Sequence, residues 1–387
     1  MKWSEIPRDA RAYMLYHTII EPQLIVWLLL PLYMMYSGYS VLDVGIIFTV
    51  VNIASIPITY VIGKIFNKFD IKKGLMIIDI LDGIAYILYG LAHGTYSSLM
   101  FFLGRLIEKI STLFYPLYRA YEQIIYPKDK YEEIFAWHLR LPEISKMVAF
   151  PILGYLFGYV FTGLENYRKA FILFGLLSIP TTLYIYYFLP PVRAQEKITQ
   201  ETFKFKVGEF KVLLIFEALF ILGWSLAPDF IMINYIVFEL KKTIFEVTIV
   251  SCISSAFSII GTYISEKIPK KKGFQAIAAG MALNAIYALI MSLSPPFSIV
   301  MIAYAIGSMG DSIWFPFYRA WQFSLIPEFR APEFHAAISS YRKIITLITP
   351  FIAGILASIH PTMPYATSLA TFLAAAGLFI YLSREEK

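Results

Sequence analysis

Tyr115-Pro116-Leu117-Tyr118-Arg119-Ala120-Tyr121 returns, 200 positions later, as Phe315-Pro316-Phe317-Tyr318-Arg319-Ala320-Trp321. The comparison extends without a gap from 113–156 against 313–356 and gives eleven identities. Four lie in the quoted stretch. The others are Pro127/Pro327, Glu133/Glu333, Ala136/Ala336, Ile144/Ile344, Ile152/Ile352, Gly154/Gly354 and Leu156/Leu356. Aromatic exchanges such as Phe114 for Trp314 extend the likeness. A segment that recurs once at a fixed offset marks a duplicated structural unit.

Both copies lie in very apolar chain. Of 387 residues, 58% are hydrophobic and 16% charged, against roughly 25% charged in soluble domains. A hydrocarbon layer about 30 Å thick takes roughly 20 apolar residues per helix. Uninterrupted apolar runs predict twelve such helices, over 13–36, 42–63, 74–93, 97–125, 134–160, 168–188, 211–238, 245–265, 273–293, 297–325, 335–358 and 364–383. The runs are continuous and lack two-residue alternation, which argues for helices over a barrel. The expected fold is therefore an all-α membrane protein with two six-helix, pseudo-symmetric bundles, 1–188 and 211–387. The polar stretch 189–210 is the expected cytoplasmic linker.

Charge placement sets the expected topology. Net charge is +6. Lys64, Lys68, Lys72, Lys73, Lys128, Lys130, Lys270, Lys271 and Lys272 all fall on one side of the predicted spans, with Lys2, Arg8 and Arg384 from the tails. An excess of Lys and Arg in short loops marks the cytoplasmic side, so both termini are expected there, in the cell membrane. Charges in a membrane-flanking layer do not make a nucleic-acid groove. Cys252 is alone, which excludes an internal disulfide. With an even number of helices per half, the two repeats insert with the same polarity, a parallel arrangement found in transporters.

Short motifs sharpen this. Gly63-Lys64-Ile65-Phe66-Asn67-Lys68-Phe69-Asp70-Ile71-Lys72-Lys73 follows the second run, and Gly261 to Lys272 echoes it after the eighth. Arg105-Leu106-Ile107-Glu108-Lys109 lies in the fourth, and Pro151-Ile152-Leu153-Gly154 in the fifth. Their order and placement resemble the major facilitator superfamily of secondary transporters. The first is similar to that family's Gly-x-x-x-Asp-Arg-x-Gly-Arg-Arg signature, with Asn67 for the acid and Lys68 for the arginine. The last resembles part of its antiporter motif, with Phe150 and Tyr155 in place of two glycines. The resemblance implies alternating access by two rocking halves. It also implies a central cavity lined by the fourth and tenth helices and a cytoplasmic gate that includes Asn67, Lys72 and Lys73.

Ten ionisable residues fall well inside predicted helices: Glu21, Arg105, Glu108, Lys109, Glu143, Lys146, Asp229, Asp311, Arg342 and Lys343. Each would cost about 3 kcal/mol at the bilayer centre, on the order of 30 kcal/mol together. They are expected to line a watery pathway or to pair internally. Arg105, Glu108 and Lys109 share one helix face. Lys109 and Asp311 lie at similar depth, so they are expected either to approach across the cavity in one state or to pair each within its own half. Glu143 and Lys343 occupy equivalent repeat positions with opposite charge. Glu21, followed by Pro22 and with few basic neighbours in sequence, is the candidate proton site. Tyr115 and Trp314, beside the repeat prolines, are candidates to stack on a solute. Arg119 and Arg319 recur in the same setting and read as gate residues. Asp79 and Asp82 are expected to join Lys72 and Lys73 in that layer.

Enzyme signatures are missing. His17, His93, His138, His335 and His360 show neither His-x-x-x-His nor Glu-x-x-His spacing, so no metal site is expected. No GxxxxGK loop is present to bind nucleotide. The sequence thus predicts a monomeric, prokaryotic-type transporter without cofactor, driven by protons and moving a small organic solute or drug, with efflux by antiport favoured. The alternatives are a proton-coupled importer or uniporter and a non-transporting sensor on the same scaffold.

Overall fold

The computed structural model describes residues 2–65, 70–127, 131–191, 210–325, 338 and 340–385. All regular structure among them is helical. The first half contains α1 (Arg8–Ile20), α2 (Val26–Tyr36), α3 (Val41–Ile65), α4 (Ile71–Leu91), α5 (Ser97–Ser111), α6 (Pro116–Ile125), α7 (Tyr131–Tyr155) and α8 (Leu164–Phe188). The second contains α9 (Lys211–Leu226), α10 (Asp229–Ile233), α11 (Ile244–Glu266), α12 (Gly273–Ser292), α13 (Phe297–Ser324), α14 (340–345), α15 (Thr349–Ile359) and α16 (Met363–Glu385).

These helices join into the twelve expected segments, but several segments are interrupted. The first begins at Arg8 and breaks at a 3₁₀ turn, Glu21–Ile25, where Pro22 lacks the N–H that a continuous helix would use. The fourth is α5 and α6, divided by the turn Thr112–Phe114 just before Pro116. The seventh parts at Pro228 between α9 and α10. Pro316, the repeat partner of Pro116, behaves differently: α13 runs through it unbroken. Among the described residues, ten of the spans are long and apolar enough to cross a bilayer. The two outside that set are the divided α5–α6 pair and α7, which bears Arg140, Glu143 and Lys146.

The chain forms two compact units, Met1–Tyr39 with Ile47–Ile198, and Ser40–Ile46 with Thr199–Lys387. In the first, α4 packs between α5 and α8, and α1 lies on α7. Small residues allow the close crossing: a Cβ on Gly175 would stand 2.7 Å from the Gly83 carbonyl oxygen. In the second, α12 packs on α13 and α16, and α11 on α13. A Cβ on Gly280 would meet the Gly310 carbonyl oxygen at 2.7 Å. Asp70 caps α4 by accepting from the Lys73 N–H at 3.1 Å, and a Thr243–Glu246 capping box starts α11. Outward-facing positions carry isoleucine, leucine and aromatic side chains, such as Ile56, Leu173, Ile179 and Leu373, as a lipid-facing wall requires.

Candidate functional site

Several of the buried ionisable groups find partners within their own half. On α5 the Arg105 guanidinium meets Glu108 at 2.6 Å and lies 4.5 Å from the centre of the Phe48 ring. The Tyr89 hydroxyl of α4 donates to the other Glu108 oxygen. Glu108 is 3% exposed, so its charge is held by one cation and one hydroxyl, the arrangement that makes a carboxylate tolerable away from water.

A second network joins α1, α4, α6 and α7. Tyr13 donates to Glu122 at 3.2 Å, Tyr16 donates to Asp79, and the Tyr16 and Tyr118 hydroxyls are 3.2 Å apart. Tyr126 is bonded to His138 Nδ1 at 2.7 Å, and that nitrogen lies 3.6 Å from Glu122. The rings of His17 and His138 are 4.9 Å apart. Asp79 therefore belongs to this network. Lys72, its expected partner, donates to the Tyr186 carbonyl at 2.8 Å.

The second half holds a tighter knot. Glu217 on α9 is fully buried. Arg342 on α14 grips it with Nε at 2.6 Å and Nη2 at 2.9 Å, and the Tyr318 hydroxyl of α13 also donates to it. The two-pronged geometry is the strong form of an arginine–carboxylate pair. Asp311 is engaged within the same half, accepting from Asn284 Nδ2 at 2.8 Å and Trp314 Nε1 at 2.9 Å. Trp314 is 1% exposed and packed against Phe216 and Phe220. Its place is in the core, and a ring so covered offers no face to a solute. Lys343, next to Arg342, is half-buried.

Glu21 stands on the broken turn of the first segment, and that turn packs on α7. Lys146 and Glu143, themselves 3.4 Å apart, act on it electrostatically. The basic neighbour missing from the local sequence thus comes from another helix. Tyr115 is half-buried with its ring 5.7 Å from that of Tyr118. Lys109 lies in the last turn of α5, its carbonyl accepting from the Thr112 hydroxyl. Of the gate residues, Arg319 donates to Gln322 at 3.2 Å and lies over the Phe315 ring, and the Lys73 N–H serves the α4 cap. Asn67 and the Arg119 side chain lie outside the described residues.

Sequence reasoning missed Tyr13, Tyr16, His17, His138, Glu217 and Tyr318 as network members. Two signals pointed to them. Tyr13-x-x-Tyr16-His17 and Tyr118-x-x-x-Glu122-x-x-x-Tyr126 are polar stripes at helical spacing. Glu217 is an acid in the middle of an apolar run, and the repeat offset aligns it with His17.

The model of the Major Facilitator Superfamily matches residues 13–350. The chain belongs to that superfamily: it is a transporter with the all-helical, twelve-segment fold of that family, and not an enzyme. A bacterial homologue of the iron transporter ferroportin, solved in an inward-facing state, superposes with a TM-score of 0.76 at 17% identity, over 97% of this chain and 98% of that one. A bacterial metal transporter gives 0.71 at 16% identity, over 97% and 99%. A POT family transporter solved with a thioalcohol-conjugated peptide gives 0.70 at 12% identity, over 99% of each. At these identities the likeness concerns the fold. No curated protein sequence matches the chain.

Proposed function

We propose that this transporter is a monomeric, proton-driven antiporter of the cell membrane that expels a small organic solute by alternating access. The two halves would be 1–188 and 211–387, joined by 189–210, with both termini cytoplasmic as the lysine-rich loops suggest. The observation that carries the coupling mechanism is Glu21. It sits where the first membrane segment is broken, and the Glu143–Lys146 pair of α7 acts on it from an adjacent helix. A carboxylate on an interrupted helix, beside an ion pair that can exchange partners, suits a proton carrier. Asp311, Lys109, Arg342 and Lys343 supply the charged groups, and Tyr115 the aromatic surface, for a polar solute.

Proteoliposomes loaded with a pH-sensitive dye test this with a panel of sugars, organic acids and cationic drugs. At least one solute should move protons in the opposite direction. Glu21→Gln should stop proton movement while leaving solute exchange. Solute flux without a dye response would remove the proton. Ligand-stabilised melting with no flux for any solute would favour a sensor.

A further inference from the structure

His17 of α1, Glu122 of α6 and His138 of α7 are far apart in sequence, yet their ligand-type atoms all lie within 4.8 Å of one another. We propose that these three side chains form a binding site for a divalent transition-metal ion, holding α1, α6 and α7 of the first half together. Two imidazoles and one carboxylate are a recognised three-residue set for zinc-like ions, with a fourth position left for water or an exchanging ligand. Imidazole donors favour zinc, cobalt, nickel or copper over magnesium and calcium, which prefer all-oxygen surroundings.

Three further observations support the assignment. First, His17 Nε2 is buried and finds no hydrogen-bond partner among the described residues. A ring nitrogen kept from water needs a partner, and a metal ion supplies one. Second, the other two side chains are already held side by side. His138 Nδ1 lies 3.6 Å from Glu122 and 2.7 Å from the Tyr126 hydroxyl, and Tyr13 donates to Glu122 at 3.2 Å. Outer hydrogen bonds of this kind orient ligands in metal sites. Third, aromatic rings enclose the cluster, with Tyr13 4.6 Å and Tyr118 5.0 Å from His17. Coordination at about 2.0–2.1 Å sets ligand atoms roughly 3.3 Å apart. The three arms therefore need to close by at most about 1.5 Å from the 4.8 Å limit, which side-chain rotation can provide.

The site depends on one half of the molecule and is independent of the proton mechanism above. Its test uses the full-length protein in detergent, stripped with chelator and titrated with cobalt(II) or zinc(II) alone at about pH 7.5, above the ordinary imidazole range. One equivalent of cobalt should bind, with the visible absorption of a four-coordinate ion, and excess magnesium should not displace it. His17→Gln and His138→Gln should each weaken binding by about a hundredfold or more, and Tyr13→Phe, which removes the donor to Glu122, by about ten- to a hundredfold. His93→Gln and His360→Gln should bind as the parent does. X-ray absorption of the zinc-loaded parent should report two imidazoles and one carboxylate, a reading that does not depend on any variant folding. A parent that binds no stoichiometric metal, variants at positions 17 and 138 that bind equally well, or an all-oxygen shell would each overturn the proposal.

Discussion

Replacing Arg342 by Met leaves Glu217 fully buried with a single hydroxyl donor, from Tyr318. Breaking one side of a buried ion pair costs about 3–5 kcal/mol. The carboxylate is wholly enclosed, so R342M should fall in the upper part of that range. The reverse change, Glu217→Leu, strands the guanidinium instead. Arg342 keeps 29% of its side chain exposed, so it can turn towards water, and E217L should cost about 3 kcal/mol, nearer the lower end. The double variant E217L/R342M removes both charges and leaves only the Tyr318 hydroxyl unsatisfied, a penalty of about 1–3 kcal/mol. It should therefore be no less stable than R342M alone.

Reversible unfolding in mixed micelles, run on the four corners of this cycle, measures the coupling directly. On these figures the two single costs together exceed that of the double variant by well over about 3 kcal/mol, so a coupling of at least about 3 kcal/mol is expected, at or beyond the upper end for side chains in contact. If the single changes add to within about 0.5 kcal/mol, the two groups do not depend on each other. The second half would then not be organised around this pair.

Asp311→Asn keeps an acceptor for Asn284 and Trp314 but removes the charge, so the protein should melt as before while solute flux falls about tenfold or more. Unchanged flux would take Asp311 out of the pathway. Gly280→Ala should lose about 1–3 kcal/mol, because its Cβ would meet the Gly310 carbonyl oxygen at 2.7 Å and the Trp314 Cβ at 2.6 Å. Gly377→Ala, with nothing within 4 Å, should instead gain about 0.5–1 kcal/mol from helix propensity in the same unfolding assay. Tyr89→Phe removes one donor from Glu108 but leaves Arg105 at 2.6 Å, so a loss of about 1–2 kcal/mol is expected. Glu108→Gln should cost more, and equal losses would mean that Arg105 does not depend on the pair.

The twelve segments were legible because hydrocarbon thickness imposes a length on every crossing helix, and apolar runs record that length directly. Helix breaks were legible only in part. Pro22, Pro116 and Pro228 mark real interruptions, whereas Pro316 sits within continuous α13. A proline removes one hydrogen bond wherever it falls, but tertiary packing decides whether the helix breaks there. Partner choice was less accessible still. Arg105 and Glu108 are three residues apart, so helical geometry alone brings them together. Glu217 and Arg342 are 125 residues apart and meet only through the packing of α9 against its neighbours. The absence of a His-x-x-x-His motif led to an expectation of no metal ligation. Spacing within one helix cannot exclude a site built from three.

The repeat itself explains where these networks arise. The 200-residue offset that matches Tyr118 to Tyr318 also matches His17 to Glu217. In each half, the residue at this position of the first segment meets the tyrosine of the fourth. The His17 and Tyr118 rings are 5.0 Å apart, and the Tyr318 hydroxyl bonds to Glu217. In each half, the fifth segment supplies a further polar group to the same place, His138 in one and Arg342 in the other. A duplicated backbone therefore presents the same polar niche twice, but the side chains filling it differ. Arg342 and Tyr318 both bond to Glu217, which ties three segments together within this half. Among the described residues His17 Nε2 is buried and has no hydrogen-bond partner, which is the opening the proposed metal ion would fill.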